Sequence, residues 1–256
     1  MIDNKLKVKL SNENELTILA QMNANADVAE MVGLAGFDGI LLDCQHGDLS
    51  VSEVKNVVRA AECSGAAVIV RTWKNDPDLV LRYLDCGAAG ILFPDIQTKE
   101  DAVSAVDSVK YAPMGKRGLS GSRASGFGFT GPLSEYVKRA NEETIVALMI
   151  ESKEGIENLE EIMKVPGVDL LCLGTTDLSN DLGHPGEVRH PEVAEWEERA
   201  YALSAKGGVP MDSIFRPGVM DIKEEMAKGR RVMTLSISSM IAAGLREYVA
   251  GTKLSD

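Results

Sequence analysis

The sequence predicts an α/β fold closed as a (β/α)8 barrel, and three observations carry that reading. Short apolar, β-branched runs alternate with amphipathic helical stretches eight times within 256 residues, the pattern of βαβ units around a parallel sheet. Those runs are nearly continuous in hydrophobicity, as strands buried on both faces are. Four of the segments stop abruptly at residues able to do chemistry: His46 after FDGILLDCQ, Arg71 after AAVIV, Glu151 after IVALMI and Asp177 after VDLLCLGTT. In a barrel the C-terminal strand ends converge on one mouth, where catalysis takes place. A base, a cation and two carboxylates distant in sequence would meet there, so an enzyme is the leading reading. A doubly wound open sheet is the alternative, because strand number alone does not prove closure.

The predicted strands are TILAQM (17–22), DGILLDC (38–44), AVIVRT (67–72), GILFP (90–94), TIVALMIE (144–151), VDLLCLG (168–174), VPMDSIF (209–215) and RVMTLSIS (231–238). Helices are predicted at 25–35, 50–64, 76–86, 98–110, 155–164, 191–206, 218–228 and 238–250. Ser50 or Ser52 caps the second, and Asp76-Pro77 opens the third with proline in its first turn. Gly65, Gly87, Gly167 and Gly207 stand where left-handed C-caps are expected. The chain reads as a single domain over 1–256, with one departure from the repeat at about 111–143. That Gly/Ser-rich loop, carrying Lys116, Arg117 and Arg123 and followed by a short helix near 132–141, is placed to fold over the mouth or reach another subunit.

Composition narrows the function. Twenty-seven basic against 39 acidic residues give a formal charge of −12 with no basic block, which argues against nucleic acid and anionic membrane partners. No run approaches a membrane span, and the N-terminal MIDNKLKVKLSNENE lacks the apolar core of a signal peptide, so a cytoplasmic location is expected. Cys44, Cys63, Cys86 and Cys172 form no C-x-x-C pair and read as reduced thiols acting as small hydrophobes. Neither a P-loop nor a dinucleotide fingerprint is present, so no organic cofactor is expected.

The candidate site residues divide by chemistry. Glu151 and Asp177 end consecutive strand units and together offer hard oxygen ligands suited to Mg²⁺ or Mn²⁺, with Co²⁺ also possible; solvated helix-capping carboxylates are the structural alternative. Arg71, costly in a buried strand without an anion, suits either an ion pair or a carboxylate or enolate. His46 titrates near neutrality and needs a partner, for which Asp43 and Asp85 are the candidates. Gly174, Thr175 and Thr176 run into a short helix whose amides suit a substrate carboxylate, or make an ordinary turn. His184 and His190 lie in a polar loop and read as packing residues.

At these residues the sequence resembles the HpcH/HpaI aldolase family, metal-dependent enzymes acting on pyruvate-derived 2-oxo acids. The resemblance runs through FDGILLDCQH, VRTWKNDPDLVLRYLDCGAAGILFP, YAPMGKRG, IESKEGIENLEEI and VPGVDLLCLGTTDLSNDLGHPG, from about residue 16 to 250. It implies a barrel, a divalent metal held by Glu151 and Asp177, Arg71 against the pyruvyl oxygen, and His46 as acid/base. It also implies a homo-oligomer, a hexamer of dimers that exchange their last helix, here 238–250. Gln45 replaces the usual Glu, and stands as a substrate-binding candidate beside the histidine. Met149 replaces Gln, Thr175 replaces the proline of Gly-Pro, and Asp95 is an additional carboxylate.

The resulting expectation is reversible aldol cleavage of a 4-hydroxy-2-oxo acid to pyruvate and an aldehyde through a metal-stabilised enolate. A Schiff-base route is disfavoured because no strand core contains lysine. Arg117 and Arg123 suit either an acidic aldehyde or a surface role. The alternatives are oxaloacetate decarboxylation, a citrate-lyase-type reaction, or a metal-binding barrel that has lost efficient catalysis and serves a regulatory role.

Overall fold

Each of the eight apolar runs forms a strand, and the eight close on themselves in chain order. The computed structural model describes residues 4–12, 14–23, 25–214 and 221–252. Its strands are β1 (Thr17–Met22), β2 (Gly39–Asp43), β3 (Ala67–Arg71), β4 (Gly90–Phe93), β5 (Ile145–Ile150), β6 (Leu170–Leu173), β7 (Met211–Ile214) and β8 (Val232–Ser236). All neighbours are parallel, and β8 pairs with β1 to complete the barrel. The predicted (β/α)8 architecture is therefore observed.

The apolar continuity of the strands has a direct cause, since both faces are covered. Leu19, Leu41, Ile69, Leu92, Ala147, Leu170 and Val232 fill the tube, while the intervening Ala20, Ile40, Leu42, Val68, Val70, Ile91 and Phe93 pack in the layer beneath the helices. A fully buried Leu or Ile contributes roughly 1.5–3 kcal/mol by leaving water.

The helices are α1 (Lys5–Leu10), α2 (Ala26–Leu34), α3 (Val51–Ser64), α4 (Pro77–Asp85), α5 (Lys99–Val109), α6 (Leu133–Glu143), α7 (Lys153–Glu157), α8 (Leu159–Met163), α9 (Thr175–Asp181), α10 (Pro191–Gly207), α11 (Ile222–Ala227) and α12 (Ile237–Thr252). Ser50 caps α3 through a reciprocal capping box with Glu53, and Asp76 caps α4. Two boundaries differ from expectation. The helix at 155–164 is two helices divided at Asn158, and Gly207 is the last residue of α10, with Gly208 (φ 74°) as its left-handed cap. The predicted strand end at Phe215 and helix start at 218–220 lie outside the described residues.

The unpredicted α1 closes the bottom of the barrel. Leu6 and Leu10 join the interior cluster. Asn4 donates to the carbonyls of Ala89 and Glu143, and Lys7 and Lys9 pair with Asp169 (3.1 Å) and Asp38 (2.7 Å) at strand entrances. Lys110 is buried at the same end, its Nζ donating to the carbonyls of Asn141 (2.8 Å) and Thr144 (2.6 Å).

The loop after α5 is tied to the barrel's flank. Arg117 pairs with Asp85 at 2.9 Å and lies 4.5 Å over the Tyr111 ring. Arg123 pairs with Glu62 and donates to the Cys86 carbonyl at 2.9 Å. Both arginines offered above to an acidic aldehyde are thus engaged in holding the loop. Of the four thiols, all free, Cys63 is exposed and so is not a core residue. Among the described residues no helix is long and apolar enough to cross a membrane. On α12, only Ile237 is buried; Met240, Ile241, Leu245, Tyr248 and Val249 form an exposed apolar stripe at helical spacing.

Candidate active site

The C-terminal strand ends surround a cavity of about 990 Å³, open solvent at its mouth included. Asp43, His46, Arg71, Glu151, Gly174, Thr175, Thr176 and Asp177 all line it. Residues spread over more than 130 positions of sequence are gathered because their strands end on one rim.

Register places the first pair. Asp43 and Arg71 stand side by side on β2 and β3, and the guanidinium grips the carboxylate with two bonds, Nε to Oδ1 at 3.0 Å and Nη2 to Oδ2 at 2.5 Å. The backbone N–H groups of Gln45 and His46 also donate to Asp43 Oδ1. Burial works to raise the Asp43 carboxyl, but Arg71 and these amides outweigh it and hold it below its usual range. The pair is buried and bidentate, so it fixes Arg71 in one orientation. Among the described residues its remaining nitrogen, Nη1, donates to the Met149 sulfur at 3.7 Å, a weak acceptor that a substrate oxygen would better.

The second pair comes from β5 and α9. Glu151 follows β5, and its Oε1 accepts the Asp95 N–H at 2.7 Å. Asp95 reaches this position with φ +56°, a left-handed backbone unusual outside glycine. Burial pushes the Glu151 carboxyl up to about 7, with the Asp95 amide opposing and the Asp177 and Asp95 charges adding to the rise. Gly174 makes the crowding tolerable, because a Cβ there would lie 2.6 Å from Glu151 Cβ and 2.7 Å from its Oε2. Gly174→Ala is therefore expected to displace the Glu151 side chain, lowering divalent-metal affinity about 10- to 100-fold, as disturbing a ligand's support does. Titration calorimetry with Mn²⁺ measures this, and unchanged affinity would refute it.

Four of the predicted site residues have other neighbours than the chain order suggests. Asp85 is not among the cavity walls, and its carboxylate pairs with Arg117. Gln45 is not a wall residue either; its Oε1 is buried without a partner among the described residues. The Gly174 N–H is already donated to the Ile150 carbonyl at 3.0 Å, leaving the amides of Thr175 and Thr176, in the first helical turn, as anion donors. Asp43 touches His46 through the backbone, and its oxygens are committed to Arg71. His46 itself is exposed at the rim.

The strand pattern gave no warning of polar residues deeper in the tube. Asp212 on β7 and Thr234 on β8 line the cavity, 5% and 3% exposed. The available signal was one acid inside an otherwise apolar strand, VPMDSIF. Lys110 is likewise a desolvated lysine, lowered to about 8 chiefly by burial, but it sits at the opposite end of the barrel from the mouth.

The donor set at the mouth fits a hard divalent cation. Two carboxylates converge, and half-buried Glu151 is raised first by desolvation and then by its acidic neighbours, a repulsion that a bound cation would relieve. A separate group of potential ligands, His184, His190 and Glu192, has its ligand atoms within 4.8 Å of one another. There the imidazoles stack with centroids 3.5 Å apart, His184 meets Glu192 at 3.0 Å, and His190 caps α10.

Known proteins share this arrangement of chain. The 2-dehydro-3,6-dideoxy-6-sulfogluconate aldolase of Pseudomonas putida is 39% identical over 191 residues, 74% of each chain. The hydroxypyruvate/pyruvate aldolase of Sagittula stellata is 36% identical over 188 residues, 73% of each. A crystal structure of an HpcH/HpaI aldolase/citrate lyase family protein from Burkholderia cenocepacia superposes with a TM-score of 0.89 at 30% identity, covering 97% of this chain and 98% of the other. The family model for HpcH/HpaI aldolase/citrate lyase matches residues 18–243, and the chain belongs to that family.

Proposed function

We propose that this barrel is a divalent-metal-dependent aldolase that reversibly cleaves a 4-hydroxy-2-oxo acid into a pyruvate-type 2-oxo acid and an aldehyde. The reaction class, carbon–carbon lyase, is that of its named relatives. The observation that carries the reading is a fixed guanidinium, locked by Asp43, in one cavity with the Glu151 and Asp177 carboxylates.

Glu151 and Asp177 would hold the metal, whose contribution is Lewis-acid polarisation of the 2-oxo group. Mg²⁺, Mn²⁺ and Co²⁺ all suit these oxygens. Arg71 presents Nη1 where negative charge gathers on the 2-oxo oxygen as the C3–C4 bond breaks, and its Asp43 clamp means that no reorganisation is needed at that moment. The amides of Thr175 and Thr176 orient the substrate carboxylate. His46, at the rim, takes the proton from the C4 hydroxyl and returns it in the synthetic direction, a contribution of ~10²–10⁴-fold for such a base. The exposed stripe on α12 supports a homo-oligomer in which this helix packs on a second copy, consistent with the hexamer of helix-exchanging dimers that the sequence resemblance implies.

Pyruvate and a panel of aldehydes, incubated with Mg²⁺, Mn²⁺ or Co²⁺, are expected to give aldol product and to give none after chelation. Exchange of the pyruvate methyl protons, followed by NMR, is expected to show the same metal dependence. Trapping of a pyruvate adduct by borohydride would overturn the assignment in favour of a Schiff base. Absence of both exchange and product would favour a barrel that binds without catalysing.

A further inference from the structure

The chain leaving β4 makes a costly turn beside Glu151. Phe93 is the last residue of β4 in register with β5, opposite Leu148. Pro94 and Asp95 follow, and Asp95 takes φ +56°. This left-handed backbone crowds any side chain, while glycine adopts it freely. A residue strained in this way persists only where its surroundings over-determine it, and such residues cluster at ligand sites. Asp95 is exposed, so core packing does not account for it.

The turn aims two successive amides at β5 and its end. The Ile96 N–H donates to the Met149 carbonyl at 3.2 Å. The Asp95 N–H donates instead to a side chain, Glu151 Oε1, at 2.7 Å. Neighbouring elements hold the turn in place. Gln97 Nε2 donates to Asp95 Oδ1 at 3.0 Å, and Asn158 Nδ2, at the break between α7 and α8, donates to the Gln97 carbonyl at 2.9 Å. Asp101 of α5 accepts the Gln97 N–H at 3.2 Å. Gly155 lets the Ile96 carbonyl pass, since a Cβ there would lie 2.7 Å from it.

The consequence falls on the two oxygens of Glu151. Oε1 is engaged by the Asp95 N–H, while Oε2 lies against Gly174, from which α9 and its Asp177 start. Turning the carboxylate to offer both oxygens to one cation would break the Asp95 bond. Small cations held octahedrally, Mg²⁺ and Mn²⁺, are served by one oxygen from each carboxylate, whereas Ca²⁺ takes more oxygens and gains from a carboxylate free to give two. We propose that Asp95 is a positioning residue whose left-handed backbone N–H restricts Glu151 to ligation through Oε2, so that the site takes Mn²⁺ or Mg²⁺ in preference to Ca²⁺. This rests on the metal-dependent reading and deepens it.

Mn²⁺ and Ca²⁺ are titrated separately by calorimetry into the chelator-treated protein and its Asp95 variants, with thermal unfolding as the check on folding. The wild type is expected to favour Mn²⁺ by about tenfold or more. Asp95→Val disfavours the left-handed backbone most, and is expected to bind Mn²⁺ about 10- to 100-fold more weakly and to lose most of that preference. Asp95→Asn and Asp95→Gly tolerate the backbone and keep the N–H, so both are expected to retain the preference, with the lost charge weakening the two ions alike. Asp95→Ala strains the turn less than valine and decides the matter if Asp95→Val does not fold. A valine or alanine variant with the wild-type ratio of affinities would overturn the assignment, as would an asparagine variant that loses it, which would place the role in the side chain. A wild type that binds Mn²⁺ without preference over Ca²⁺ overturns the assignment alone, whereas one that binds neither ion removes the metal reading with it.

Discussion

Glutamine in place of Glu151 is expected to lower metal-dependent turnover by roughly three orders of magnitude, the scale of losing a leading electrostatic contribution. The same change is expected to leave the metal-free protein as stable as before, or more so. Burial and the Asp177 and Asp95 charges disfavour the Glu151 carboxylate, holding it up to about 7 against the usual acidic range. A group raised in this way costs stability as pH climbs through the interval between its unfolded and folded values. At pH 8 the native protein carries that penalty in full, and a neutral amide removes it. Thermal unfolding with chelator therefore favours Glu151→Gln at pH 8. With Mn²⁺ the order reverses, because a cation at 100 times its dissociation constant stabilises the wild type by about 2.7 kcal/mol and the variant by little. A variant still stabilised by Mn²⁺ to the wild-type extent would remove Glu151 from the metal site.

Arg71→Ala is expected to damage activity and stability together. The Nη1 donor is lost, costing about 10²–10³-fold in kcat. Asp43 is left buried and unpaired, at about 3–5 kcal/mol of stability. Pairing the change with Asp43→Asn separates the two effects, since the double variant removes the stranded charge. Its unfolding midpoint is expected to recover most of the loss while kcat stays low. Recovery of kcat in the double variant would mean that the guanidinium serves only to neutralise Asp43.

The barrel was legible because its strands are buried on both sides and so are apolar without interruption, and because Ser50 and Asp76 announce the helices that follow them. The gathering of Arg71, Glu151 and Asp177 at one mouth was legible for the same reason, since each follows an apolar run. What sequence could not supply was pairing across strands. Asp43 is the near neighbour of His46 along the chain, yet parallel register sets it beside Arg71. Asp85 pairs with Arg117, 32 positions on, a partner that no local pattern announces. No sequence feature reveals that the Gly174 amide is already used by the Ile150 carbonyl of β5. α1 escaped because KLKVKL alternates with the period of a strand, and it is helical through tertiary packing of Leu6 and Leu10 against the barrel interior.

That small plug at the bottom has a kinetic meaning. With Leu6 and Leu10 seated among the interior side chains and Asn4, Lys7 and Lys9 fastened to the strand entrances, the described residues close the tube at its bottom and leave it open at the mouth. Two molecules sharing such a well form a queue. The one that lies deeper must enter first and leave last, and the one nearer the door blocks its exit. A 2-oxo acid held against Arg71 and the carboxylate pair, with an aldehyde above it, would bind in compulsory order, and the aldehyde would slow release of the acid beneath it.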